Sequence, residues 1–197
     1  WSVLTTEPNG PQWTDLAGCG ETNYTNGTGD AACVSSDIFG SAEFDTSLVT
    51  PLFDLTGYGT ASLNYTANYQ NFAGFDFLDV DISTDGGATW VNLLSWNEDH
   101  GSFRSTPGVD VALDLSAYAG QSGLMLRYRY YDPNSGDWDW YAQVDDVALE
   151  CSAGGDDPNI FVDPLSMSST QATNTQVQQT LTISNTGGGT LDWTIDE

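Results

Sequence analysis

Apolar residues recur at every second position along much of this chain, and no stretch sustains the i, i+3, i+4, i+7 spacing of an amphipathic helix. Leu78, Val80 and Ile82 alternate, Val111 and Leu113 stand between Asp110, Ala112 and Asp114, and Leu126, Tyr128 and Tyr130 flank Arg127 and Arg129. A period of two puts neighbouring side chains on opposite faces of a strand, so each segment offers one face to a core and one to water. The chain reads as all-β. Strands are expected over Ala32–Ser35, Leu63–Tyr69, Leu78–Ser83, Trp90–Trp96, Val109–Leu113, Leu124–Tyr131 and Tyr141–Leu149. Short strands separated by turn residues point to an antiparallel sandwich. Arg127 and Arg129, sharing one outer face in so acidic a chain, are expected to form ion pairs across neighbouring strands.

The best-marked turn is Ser83-Thr-Asp-Gly-Gly-Ala-Thr-Trp90. Asp85 can bond the backbone of its own turn, Gly86 and Gly87 accept the positive φ that tight hairpins need, and Trp90 restarts a strand. The octapeptide also fits the Asp-box consensus of sialidase-like propellers. There is one copy and no repeat period, which argues for a single structural turn instead.

Charge limits the partners. The 197 residues hold 28 carboxylates against Arg104, Arg127 and Arg129, with no Lys, for a formal net charge of −25. Nucleic acid and anionic membrane surfaces would be repelled, and no apolar run is long enough to insert in a bilayer. Of the three cysteines, Cys19 and Cys33 flank a Gly-, Asn- and Thr-rich loop that a local disulfide would pin, leaving Cys151 unpaired. The alternative joins Cys151 to one of them. Either pairing suits an oxidising compartment. The chain opens on Trp1 without Met, which reads as a mature or excised fragment.

Residues 152–158 carry small, acidic and Pro residues and read as a linker between a first domain, 1–151, and a segment 159–197. In that segment Ile160 and Val162, then Val177, Leu181 and Ile183, then Leu191, Trp193 and Ile195 suggest about three strands. Three strands are too few to bury both faces of a sandwich, so the segment is expected to need a partner.

Several strings resemble a known family: Asn26-Gly-Thr-Gly-Asp-Ala-Ala, Asp45-Thr-Ser-Leu-Val-Thr-Pro-Leu-Phe-Asp-Leu-Thr, Asp79 to Trp90, Asp114-Leu-Ser-Ala-Tyr-Ala-Gly and Val144-Asp-Asp-Val-Ala-Leu. In this order they look like the MAM-like, cleaved-adhesin-type jelly-roll domains, also labelled choice-of-anchor J, of secreted bacterial proteases and surface proteins. The tail strings Asp163-Pro-Leu-Ser-Met and Leu181 to Trp193 are similar to the opening strands of bacterial Ig-like repeats. The resemblance implies an antiparallel jelly-roll β-sandwich followed by an incomplete Ig-like β segment, in an extracellular protein.

No hydrolase motif is present: His100 is the single His, in the polar turn Asn97-Glu-Asp-His-Gly, and neither Gly-x-Ser-x-Gly nor His-Glu-x-x-His occurs. A hard cation such as Ca²⁺ suits a chain dense in oxygen ligands. The resemblance implies a structural Ca²⁺ where an early loop meets the last strand, with Asp146 as ligand beside Asp30, Asp37 and Asp45. A bulge at Asp145-Asp146 would return both Val144 and Val147 to the core. Trp138, Trp140 and Tyr141 form an aromatic string that could stack a ligand, although such rings more often pack a core or an edge.

These features predict a non-catalytic, Ca²⁺-stabilised adhesion or ligand-binding module taking a carbohydrate or protein ligand on a surface. Two alternatives stand beside it. One is a fibre subunit whose tail pairs with a neighbouring copy or with further Ig-like strands. The other is an accessory domain of a secreted protease or a glycan-active enzyme.

Overall fold

The computed structural model describes residues 1–40, 43–133, 139–153, 160–185 and 189–194. They divide into two compact units, Trp1–Ser152 and Ala153–Glu197. The first is a jelly-roll sandwich of two antiparallel sheets. Its strands are β1 (Ser2–Thr5), β2 (Ala32–Ser35), β3 (Phe44–Val49), β4 (Tyr58–Gln70), β5 (Phe77–Ser83), β6 (Val91–Trp96), β7 (Val109–Asp114), β8 (Met125–Asp132) and β9 (Tyr141–Ala153). One sheet runs β1-β3-β8-β5-β6 and the other β2-β9-β4-β7. The short helix α1 (Leu16–Cys19) precedes β2, its N terminus capped by the Asp15 carboxylate, which accepts from the Gly18 N–H at 2.7 Å.

Alternation produces the core directly. Tyr65 and Tyr69 on β4 meet Tyr128 and Tyr130 on β8 edge-on, with ring centroids 5.1 and 6.2 Å apart. Phe44, Leu63, Leu78, Val80, Ile82 and Val144 fill the space around these rings, all at 2% exposure or less. Edge-to-face aromatic pairs satisfy the ring quadrupoles as well as burying area. The residues between the core tyrosines point outward: Arg127 donates from Nε to Asp81 on β5 at 2.7 Å, and Arg129 grips Asp45 on β3 through two bonds of 2.9 and 2.6 Å. These are the cross-strand ion pairs that the shared face of the two arginines calls for.

The strands β1 and β3 escape the alternation reading. In β1 the apolar Val3 and Leu4 are adjacent and both exposed, so no one face is marked, and β3 mixes Thr46 and Ser47 into a buried strand. The turn after β5 spans residues 84–90 and is wider than a two-residue hairpin loop, because side chains rather than strand ends close it. Thr89 donates to Asp85 from both its backbone N–H and its hydroxyl, at 2.8 and 2.6 Å, and the Gly87 N–H bonds Ser83 Oγ at 2.8 Å. The Thr89 hydroxyl and N–H together hold the Asp85 carboxyl down at about 2.

In β9 the chain turns left-handed at Asp146, with φ +50°. Val144 is buried and Cys151 packs against the core, yet Val147 remains 37% exposed. The expected irregularity is therefore present without bringing both valines inside.

The second unit pairs β10 (Ile160–Asp163) antiparallel with β11 (Thr182–Asn185). Residues 189–194 form no strand, so the expected third strand is missing from the described residues, and the linker reading falls largely on residues 154–159, outside them.

Candidate functional site

Two places in the first unit gather unusual side chains, and the sheet topology separates their construction. The first is built by three loops and the start of β9. The Ser36 N–H donates to the Trp140 carbonyl at 2.9 Å, which fixes the loop carrying Ile38 and Phe39 beside Trp140. The Trp140 ring is half-buried and meets Phe72 and Phe103 edge-on, at 6.0 and 5.1 Å. Arg104, held at φ +46°, lays its guanidinium 5.4 Å from the Phe103 centroid and 5.5 Å from that of Trp140. The same guanidinium is ion-paired with Asp37 and lies 3.5 Å from Glu21. Partial burial pulls its pKa down, but these carboxylates outweigh that and raise it.

The base beneath these rings is rigid. Tyr141 is fully buried, its hydroxyl accepting from the Arg104 N–H at 2.9 Å and donating to Asn68 at 3.1 Å. Asn68 in turn donates to the carbonyls of Tyr24 and Ser102, at 3.1 and 3.0 Å. Gly101 cannot carry a side chain here, since a Cβ would come within 2.8 Å of the Asn68 amide. The Phe72 loop is tied by Asp76, whose Oδ1 accepts from the Phe72 N–H at 2.9 Å and from Asn71 at 2.8 Å. Burial pushes the Asp76 carboxyl up to about 6 against the opposing pull of the Phe72 N–H. Phe72 and Phe103 emerge from this base 37 and 50% exposed, and Ile38 and Phe39, on the loop tied through Ser36 to the Trp140 carbonyl, are 58 and 46% exposed. Four apolar side chains held in the open by hydrogen-bonded loops are the pattern of an interaction surface.

The second place is where the early loop reaches the last strand. Asn23 donates to Asp145 Oδ2 at 2.8 Å, Gln143 donates to the Thr22 carbonyl and accepts from the Tyr24 N–H, both at 2.8 Å, and Thr66 donates to the Asp145 carbonyl at 3.3 Å. A side chain at Gly27 would overlap the Asp145 carboxylate, so the loop backbone closes directly over that group.

The sequence-predicted residues are distributed unevenly between these places. Asp45 is engaged by Arg129 on the outer face of the five-stranded sheet, and Asp37 by Arg104 beneath Trp140. Asp30 Oδ1 accepts from the backbone N–H groups of Leu16 and Ala31, at 3.2 and 3.1 Å. Asp146 is exposed, and its neighbour Asp145 faces the early loop. Among the described residues no three of His, Cys, Asp and Glu stand close enough to hold a metal ion, so these four aspartates do not make one centre. The reason is local: the chain turns left-handed at Asp146, arginines claim Asp37 and Asp45, and backbone N–H groups hold Asp30.

Trp140 belongs to the exposed cluster, Tyr141 serves it from below, and Trp138 lies outside the described residues. Cys19 and Cys33 form a disulfide with Cα atoms 6.1 Å apart, and Cys151 is a free thiol. Phe72, Phe103, Ile38, Phe39 and Asp145 are the residues that the sequence reading missed. For the four apolar ones the signal is an apolar side chain within a turn-rich stretch, where alternation offers no reason for one; Asp145 carries none that separates it from Asp146. His100 stacks on Trp96 with centroids 3.7 Å apart and has Glu98 at 3.3 Å.

No protein-family model matches the chain. Over 88 residues, 43% of this chain, it is 34% identical to immune inhibitor A of Bacillus thuringiensis subsp. alesti, and that match spans only 13% of the relative's length. Among solved structures it is similar to the K1 cleaved adhesin domain of Lys-gingipain from Porphyromonas gingivalis W83, with a TM-score of 0.54 and 16% identity over 78% of this chain and 91% of that one. The K3 cleaved adhesin domain of the same protein gives 0.52 and 20%, over 76% and 90%. At such identities the likeness is one of fold.

Proposed function

We propose that the first unit is a non-catalytic binding module of an exported bacterial protein, with the loop end around Trp140 as its ligand surface. The observation that carries this reading is the set of four exposed apolar side chains on hydrogen-bonded loops. Keeping such groups in water is unfavourable unless a ligand covers them part of the time. The adhesin-type fold and the disulfide fit an extracellular setting. An accessory role beside a secreted protease is compatible with the partial match to immune inhibitor A and uses the same surface.

The test is binding of the labelled chain to a glycan array and to a peptide array, repeated with Phe103→Ser. Phe103 is half exposed, so the variant should fold normally and lose the interaction. Binding that is unchanged in both formats would remove the loop end as the ligand surface.

A structural Ca²⁺ forms part of the same reading and is placed at Asp145. Asp145 and the early-loop carbonyls offer oxygen donors, the class a hard cation prefers, and the ion would displace the Asn23 amide that donates to Asp145 Oδ2. With one carboxylate in that set, affinity should be weak, on the order of 10⁻⁴–10⁻³ M. When bound, the ion would tie the early loop to β9 and stabilise the fold. Excess chelator should then lower the unfolding temperature, and Asp145→Asn should abolish that response. An unchanged melting curve in chelator would count against the ion.

A further inference from the structure

The loop-end reading leaves its ligand open, and from its chemistry we infer that the surface takes a basic polypeptide segment carrying a large apolar residue. This rests on the loop end being the ligand surface. A sugar is held by an open aromatic face flanked by unspent hydrogen-bonding groups. Here the Trp140 ring is hemmed in by the edges of Phe72 and Phe103 and by the Arg104 guanidinium. What projects into solvent, Ile38, Phe39, Phe72 and Phe103, carries no polar side-chain atom. Beside Ile38 and Phe39 opens a recess of about 370 Å³, also lined by Pro8, Gln12 and Trp13. That recess has room for a large apolar side chain, the usual anchor of a polypeptide ligand.

Charge selects among polypeptides. Arg104 is the one arginine at this end, and Asp37 and Glu21 already hold it, while His100 stands 3.3 Å from Glu98. Glu98 and Asp99 lie on the adjoining loop, Asp99 accepting from the Asn71 N–H at 2.8 Å and Glu98 keeping 67% of its side chain exposed. An apolar patch rimmed by carboxylates, on a chain of net charge −25, attracts a cationic segment and repels an acidic one. Arg104 shows within the molecule how such a cation is held, its guanidinium over two aromatic rings with carboxylates at its edge. A Lys or Arg of the partner would meet the outer side of Phe103 in the same way, with the apolar anchor seated beside Phe39.

The experiment uses the full chain and synthetic peptides of matched Leu and Phe content, carrying Lys/Arg, Gln or Glu between them, with a glycan array in parallel. The basic peptides should bind, the acidic ones should not, and affinity should fall as salt is raised. Phe103→Ser and Phe39→Ser should each weaken binding about tenfold or more, the effect of losing an interface anchor. Both variants retain every carboxylate, so this loss separates the patch from bulk charge, and an unchanged melting temperature shows that the fold survives. Glu150→Gln, remote on β9, should bind like the parent chain. Full affinity in both Phe variants would mean that net charge alone holds the peptide, and would overturn the proposal. Glycan binding lost in these variants, with no peptide binding, would overturn the polypeptide class yet keep the loop end as ligand surface. Binding to neither array would sink both.

Discussion

Tyr128 and Tyr130 on β8 are completely buried, whereas Phe161 on β10 and Trp193 further along are 54 and 53% exposed, although both stretches alternate apolar and polar residues. The difference lies in what faces them. In the first unit a five-stranded sheet covers a four-stranded one, so the inward row of each strand meets another row. In the second, among the described residues β10 pairs only with β11, and Ile160, Phe161, Leu181 and Val177 stay 38–54% exposed. Alternation decides which residues share a face, and only a second layer turns that face into a core.

The largest expected effect that would break this contrast is at Tyr128. Replacement by Ala should cost about 3–5 kcal/mol in denaturant unfolding, as for large aromatic deletions in packed cores. Tyr128→Phe should change stability by less than about 1 kcal/mol, because the buried hydroxyl has no hydrogen-bond partner among the described residues to lose. A small cost for Tyr128→Ala would mean that the sandwich core is loosely packed.

The interior of the first unit also holds a carboxyl, Asp76. Asp76 titrates near 6 when folded and near 3.8 in a free carboxyl, so between those values the folded chain holds the extra proton. Stability should therefore fall as pH rises from about 4 to 6, and be fully retained below that window. The shift corresponds to on the order of 2–3 kcal/mol. Asp76→Asn should flatten this part of the stability profile while keeping an acceptor for the Phe72 N–H. A slope unaffected by the substitution would assign the effect to another group.

The smallest effects belong to the second unit. Phe161→Ser and Trp193→Ser should each alter global unfolding by less than about 0.5 kcal/mol, the usual range for exposed positions. A cost comparable with Tyr128→Ala would show that these side chains are covered in solution.

Sheet content was legible because a period of two is a local property, visible in Leu78, Val80 and Ile82 without reference to any partner. The outer-face ion pairs were legible too, since Arg127 and Arg129 had to face outward once Tyr128 and Tyr130 faced inward. β3 was not, because its Thr46 and Ser47 are buried by neighbours from β1 and β8 that no local pattern reveals. The candidate site was half legible. Trp140 stood out as part of an aromatic string, but Phe72, Phe103 and Phe39 come from loops far apart in the chain. Asp145 and Asp146 are equivalent as adjacent carboxylates in the sequence, and only the fold shows that the Asp145 carboxylate meets the early loop while the chain turns left-handed at Asp146.

An all-β chain of extreme acidity, with its turns marked by Gly and Asp and its inward and outward faces assigned, follows from the residues alone. The tertiary structure alone decided which of those faces became a core, which carboxylates Arg104 and Arg129 would claim, and which apolar residues would remain in water. Faces follow from the geometry of one strand, whereas burial and ion pairing depend on what the fold brings opposite, across separations of tens of residues.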